Sequence, residues 1–192
     1  MSSRVIFWRI RSIRILMSLC LSLILATVLG TSVLAAQVAR QTPPAGAVVA
    51  TMTLDCVHMS QSVHLYAVHH GYCSGADPTR TITPNNTTYS DCGSSWLLLW
   101  NEGGGYANFA WGFQSTEGNV VYRGLHINWT NWDTSGSGTI SDGSWMNDSY
   151  YNSNRNEYTS AGFVTGAMGG AIQLWWGGQC SIVVPSDSVT VT

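Results

Sequence analysis

Residues 96–132 read WLLLWNEGGGYANFAWGFQSTEGNVVYRGLHINWTNW, and this stretch limits the possible folds more than any other in the chain. Its apolar residues come in short runs or in alternation, broken by Gly103-Gly104-Gly105 and by Glu117-Gly118-Asn119. A period of two marks a strand, because successive side chains of a strand point to opposite faces. From Tyr106 to Ser115, the residues Ala107, Phe109, Trp111 and Phe113 point one way, with Tyr106, Asn108, Ala110, Gly112 and Gln114 pointing the other. Leu125, Ile127 and Trp129 alternate with His126, Asn128 and Thr130 in the same manner. Ser95–Trp100 is continuously apolar after its first residue, the pattern of a strand buried on both faces. The glycines between these runs supply the positive φ that tight turns require.

The flanking sequence extends the pattern. Ala47–Asp55 reads as a strand, and Val63–His70 alternates with Val63, Leu65 and Ala67 on one face and His64, Tyr66 and Val68 on the other. Ser74–Asp91 is a polar connection containing several turns. Asp133–Asn156 is rich in Ser, Gly, Asn and Asp and nearly free of aliphatic residues, which reads as a disordered segment or a functional loop, with its aromatics favouring the loop. Tyr158–Gly166, Ala171–Gly177, Gln179–Val184 and Ser188–Thr192 read as strands, with Pro185 breaking the sheet before the last of them. No segment shows a 3.6-residue apolar period of helical length. The expected fold is all-β, a disulfide-braced antiparallel β-sandwich or jelly roll of about ten short strands.

Residues 1–35 are expected to be a secretory signal peptide of bacterial appearance. Arg4, Arg9, Arg11 and Arg14 precede the apolar run Ile15–Leu29, and Val33-Leu34-Ala35 offers a small-residue cleavage site. The alternative is a retained anchor, although the apolar run falls short of the roughly 20 residues that span a bilayer. Residues 36–46, with Pro43-Pro44, read as a flexible tether, and 47–192 as one all-β domain. The expected location is extracellular. Cys56, Cys73, Cys92 and Cys180 are then an even set in an oxidising compartment, read as disulfides Cys56–Cys73 and Cys92–Cys180.

Charge narrows the choice of partner. From Ala36 onward there are four arginines against ten acidic residues, and the whole chain contains no lysine. Nucleic acid and anionic lipid both need clustered cations, so neither is expected as a partner, and no membrane contact is expected once the signal is removed. No cofactor is expected. Two histidines, His58 and His64, are weak metal-ligand candidates near Asp55. Glu157, with Glu102 or Glu117, is the candidate acid pair if the chain is a glycoside hydrolase, which needs two carboxylates facing each other.

Aromatics are the feature most in excess: nine tryptophans, eight of them after residue 35. Trp96, Trp111 and Trp129 fall on faces expected to be buried. Trp132, Trp145, Tyr150 and Tyr151 sit among Asn, Asp, Ser and Gly, and one of the adjacent Trp175 and Trp176 must face away from the core. Flat rings beside amides suit sugars, since a ring stacks on the C–H face of a pyranose while amides bond its hydroxyls. The expected function is a secreted, non-catalytic binding protein for carbohydrate or a cell-envelope polymer, with these six aromatics as contacts. The alternatives are a small secreted glycoside hydrolase and a cell-surface protein of interaction or structure, such as an inhibitor, adhesin or toxin. Neither the ligand nor the oligomeric state follows from the sequence.

Overall fold

The computed structural model describes residues 42–73 and 89–192. Among them are β1 (Val48–Asp55), α1 (Gln61–His69), β2 (Tyr89–Gly103), β3 (Tyr106–Ser115), β4 (Val120–Asn131), β5 (Gly136–Asp148), β6 (Tyr150–Tyr158), β7 (Gly162–Leu174), β8 (Gln179–Ile182) and β9 (Ser186–Val191). All ladders are antiparallel and run in the order β5-β4-β7-β8-β1-β2-β3-β6, with β9 also on β7. The sheet curls until it is nearly barrel-shaped, so the all-β expectation holds. β7 takes two partners on one side: β9 along Gly162–Ala167 and β8 along Ala171–Gln173. The carboxylate of Asp187 on β9 then accepts a bond from the backbone N–H of Leu99 on β2 at 2.8 Å.

The inner face holds Leu97, Leu99, Phe109, Trp111, Phe113, Leu125, Ile127, Ile140, Met168 and Ile172. Burying each such side chain stabilises the fold by roughly 1.5–3 kcal/mol. Both disulfides form as the cysteine spacing led us to expect, Cys56–Cys73 and Cys92–Cys180. The second joins β2 to β8, the two ladder neighbours of β1.

Three segments differ from their sequence reading. Val63–His69 lies in α1, with His70 as its C-cap, not in a strand. Val63 and Ala67, and likewise His64 and Val68, stand four residues apart, so the run fits an i, i+4 rule as well as alternation, the usual ambiguity of a short run. Geometry decides it: the disulfide holds the Cα atoms of Cys56 and Cys73 5.9 Å apart. A helix followed by a turn at Gly71 doubles the chain back to that distance, and Ala67 accepts bonds from the N–H groups of Tyr72 and Cys73. Asp133–Asn156 is mostly strand, β5 and then β6. With one side facing water, Ile140 and Met146 suffice as core-side anchors on β5, and the ladders to β4 and β3 satisfy the backbone. Finally, Met168-Gly169-Gly170 does not separate two strands but continues β7; at Gly170 (φ 124°) a Cβ would lie 2.1 Å from the carbonyl oxygen of Gly124.

β5 and β6 are consecutive and linked by Ser149 alone, yet they end the sheet path on opposite sides. Their free edges face each other across a seam. Asp142 on β5 closes it by accepting from Trp111 Nε1 (2.8 Å) and the Tyr151 hydroxyl (2.6 Å), while Arg123 on β4 holds the carboxylate from its own side through Nε (3.1 Å) and Nη2 (2.9 Å). Elsewhere the buried Asn131 donates to the carbonyls of Thr159, Ser160 and Ala161 and accepts from the N–H groups of Asp133 and Thr134. Asp142, Arg155 and Glu157 all lie on the core-facing side of the edge strands, and inward charges of this kind discourage pairing with another chain.

Candidate functional site

The two most exposed tryptophans lie on one outward face. β4 sits between β5 and β7, and its outward residues are Tyr122, Gly124, His126, Asn128 and Thr130. Trp145 on β5 is the direct partner of Tyr122, with ring centroids 5.2 Å apart at 63°. Just past the other end of β4, the backbone N–H of Trp132 donates to the carbonyl of Phe163, and its Nε1 donates to Thr165 Oγ1 at 3.0 Å. That bond lays the indole against the outward face of β7. Trp132 is 66% exposed and Trp145 75%. Nine residues of β4 separate the two ends, about 30 Å in an extended strand. Between them stand small and neutral groups: Ser137, Thr139 and Ser141 from β5 and Ala167, Gly169 and Ala171 from β7. His126 is the one histidine on this strip.

The six aromatics expected to act together are not brought together. Tyr151 faces inward, half-buried, with its ring 3.8 Å from the Arg123 guanidinium carbon. Burial raises its pKa, and the bond to the Asp142 carboxylate raises it further. Burial works to raise the pKa of Asp142 too, but the bonds from Tyr151, Arg123 and Trp111 and the guanidinium charge more than offset it, and the carboxyl is held below its ordinary value. Tyr150 faces outward on another part of the sheet, its ring tilted at 31° to that of Trp96 with centroids 5.4 Å apart. Trp175 is exposed and Trp176 buried, so the adjacent pair does divide between water and core. Trp176 packs with Tyr66 and Tyr72 beneath α1. Trp132 and Trp145 lie at opposite ends of one face.

The carboxylates are also dispersed. Glu102 is held on the outer face by a bond from Trp100 Nε1, whereas Glu157 lies on the inner face, paired with Arg155 at 2.6 Å. Glu117 is in the turn after β3, while Glu157 is registered with Ala107 near the start of β3, about 26 Å away along that strand. A hydrolytic pair needs about 5–9.5 Å. Burial raises the Glu117 pKa, the charge of Asp91 adds to the effect, and a bond with Thr116 works against it. Of the histidines, His58 is exposed and bonds Asp55 at 2.8 Å, while His64 is buried on α1. Among the described residues no group of three or more His, Cys, Asp or Glu side chains is placed to hold a metal ion.

Sequence reading missed Tyr122 and Phe163, which complete the two ends of the strip. Tyr122 precedes the visible alternation because the register slips between Val120 and Tyr122, and Phe163 was hidden in a strand of uncertain bounds. Among the described residues no helix is long and apolar enough to cross a membrane. No protein-family model matches the chain, and no curated protein matches it.

Proposed function

We propose that the protein is a secreted, non-catalytic binding module that holds a carbohydrate or cell-envelope polymer along the outward face of β5, β4 and β7. One observation carries the reading: Trp132 and Trp145, both well exposed, mark the two ends of a single uncharged strip. Aromatic platforms separated by hydroxyl and amide groups match a chain of pyranoses, which offers apolar C–H faces and hydroxyls in turn. The Trp132 ring is held by its bond to Thr165 and the Trp145 ring packs edge-on against Tyr122, which limits the conformational entropy lost on binding. The nearly barrel-shaped sheet serves here as a sandwich or jelly roll would, with one wall turned to solvent. Its disulfides agree with an oxidising, extracellular setting.

The test is retention of the oxidised domain on insoluble cellulose, chitin, xylan and peptidoglycan, with reducing ends assayed in the same tubes. Wild type should be depleted from the supernatant without releasing sugar. Trp132→Ala and Trp145→Ala should each weaken retention while moving stability by no more than about 0.5 kcal/mol, as expected of exposed sites. Depletion that survives both substitutions would overturn the reading. Release of reducing ends would move it to the hydrolase alternative.

A further inference from the structure

A second outward face is built on different chemistry. Along β6 the outward side chains are Tyr150, Asn152, Asn154, Asn156 and Tyr158, three amides in a row between two phenols. The charged residues of this strand, Arg155 and Glu157, point to the other side, so the row itself is neutral. The three amides are exposed. Next to them, on β3 and β2, two buried polar atoms lack any hydrogen-bond partner: Asn108 Oδ1 and Trp96 Nε1. Among the described side chains they are the only two.

Both belong to this face. Asn108 is the ladder partner of Asn156 and is 5% exposed; its amide nitrogen donates to Asn156, which leaves its oxygen open. Trp96 is fully buried yet stands outside the inner core, with its ring against Gly112, the ladder partner of Asn152, and the tilted ring of Tyr150 packed beside it. The rows of Asn108 and Gly112 are four residues apart on β3, about 13 Å. Buried polar groups in native proteins are nearly always satisfied, and an exception calls for a reason. Here an acceptor and a donor are left unpaired on one face, separated by the length of a short oligomer, with the exposed amides of Asn152 and Asn154 between them.

We infer that this face is a second carbohydrate site, taking a short stretch of neutral, hydroxyl-rich sugar chain with Asn108 and Trp96 as its buried anchors. A sugar hydroxyl donates to Asn108 Oδ1 and another accepts from Trp96 Nε1. The ligand reaches them by displacing Asn156 and Tyr150, the outer side chains above each. The inference rests on the carbohydrate reading but not on the Trp132–Trp145 strip. With two faces on separate walls of the sheet, one molecule would join two polymer chains.

The deciding experiment is calorimetric titration of the oxidised domain with soluble xylan, laminarin and chitohexaose. Wild type should bind at two sites. The double variant Asn152→Ala/Asn154→Ala, altered only at exposed positions, should lose about tenfold or more in affinity at one of them and keep the other. Trp132→Ala/Trp145→Ala should do the converse. Asn108→Leu adds a check: as a ligand anchor its loss should abolish the β6 site while the melting temperature is held or raised. Binding unchanged in the Asn152/Asn154 variant would overturn the second site and leave the first standing. If wild type binds none of the three sugars, the carbohydrate reading falls and this site with it.

Discussion

Replacing Asp142 with alanine removes the acceptor for four side-chain bonds: two cross the seam between β5 and β6, from Trp111 on β3 and Tyr151 on β6, and two come from Arg123 on the neighbouring β4. The cost follows from what is left behind. The Asp142 and Arg123 side chains are each only 13% exposed, so the guanidinium would lose its carboxylate in a place where water reaches it poorly. Trp111 Nε1 and the Tyr151 hydroxyl lose their acceptor as well. Each unsatisfied buried donor costs about 1–3 kcal/mol, and breaking a buried ion pair by removing one partner costs about 3–5 kcal/mol. Because the donors share one carboxylate, their losses do not add, and we expect about 3–5 kcal/mol in all. For a domain of this size that lowers the melting temperature by about 6–20 °C. The assay is denaturant and thermal unfolding followed by circular dichroism, with both disulfides intact. The pH dependence gives an independent check. The Asp142 carboxyl titrates below its ordinary value in the folded protein, so its contribution is fully present above the unfolded value of about 3.9 and is lost as pH falls through the folded one. Wild type and Asp142→Ala should therefore converge in stability as pH drops below about 4. A loss under about 1 kcal/mol at neutral pH, or a gap that does not narrow in acid, would refute the seam as a stabilising element.

Two further predictions concern the scaffold. Gly112→Ala puts a methyl group 2.2 Å from the Tyr151 carbonyl oxygen and 2.3 Å from the Trp96 ring, and should cost at least about 1–3 kcal/mol by chemical denaturation; a neutral result would mean that Trp96 does not lie flat on β3. Removing the Cys92–Cys180 bridge with paired serines, where the cysteines are 88 residues apart, should cost about 4.5 kcal/mol, against about 3 for Cys56–Cys73 with a separation of 17; equal losses would contradict a loop-entropy origin.

Much of the fold was legible because strands announce themselves where one face is apolar. Phe109, Trp111 and Phe113 alternate on β3, and Leu125 and Ile127 on β4, and all five are core. Both disulfides were legible from compartment and spacing. The helix was not, since a nine-residue run is too short to separate a period of two from one of 3.6, and a covalent constraint outside the run decided it. β5 and β6 were not, because a strand with one wet face and glycines such as Gly138, pressed against the Trp129 ring, carries almost no apolar signal. The sites were legible only as residue types. Local sequence placed Trp132, Tyr150 and Tyr151 together, but alternation sends Tyr150 and Tyr151 to opposite faces, and only the ladder register shows that Trp145 stands opposite Tyr122.

The bridge between Cys92 and Cys180 encloses nearly all of β2 and the whole of β3 through β7, and thus every aromatic and amide assigned to either binding face. Tension applied between the two termini of the oxidised domain passes from β1 into the start of β2, crosses the sulfur–sulfur bond and leaves through β8. The 88-residue loop lies outside that load path and cannot be drawn out while the bond holds. A protein tethered by its N-terminal segment and pulled from its far end would peel β1, β8 and β9 while the two walls proposed to bind ligand stayed folded. In mechanical terms the binding region is a slack loop shunted by a covalent link, and reduction of one bond would convert it into the part that yields.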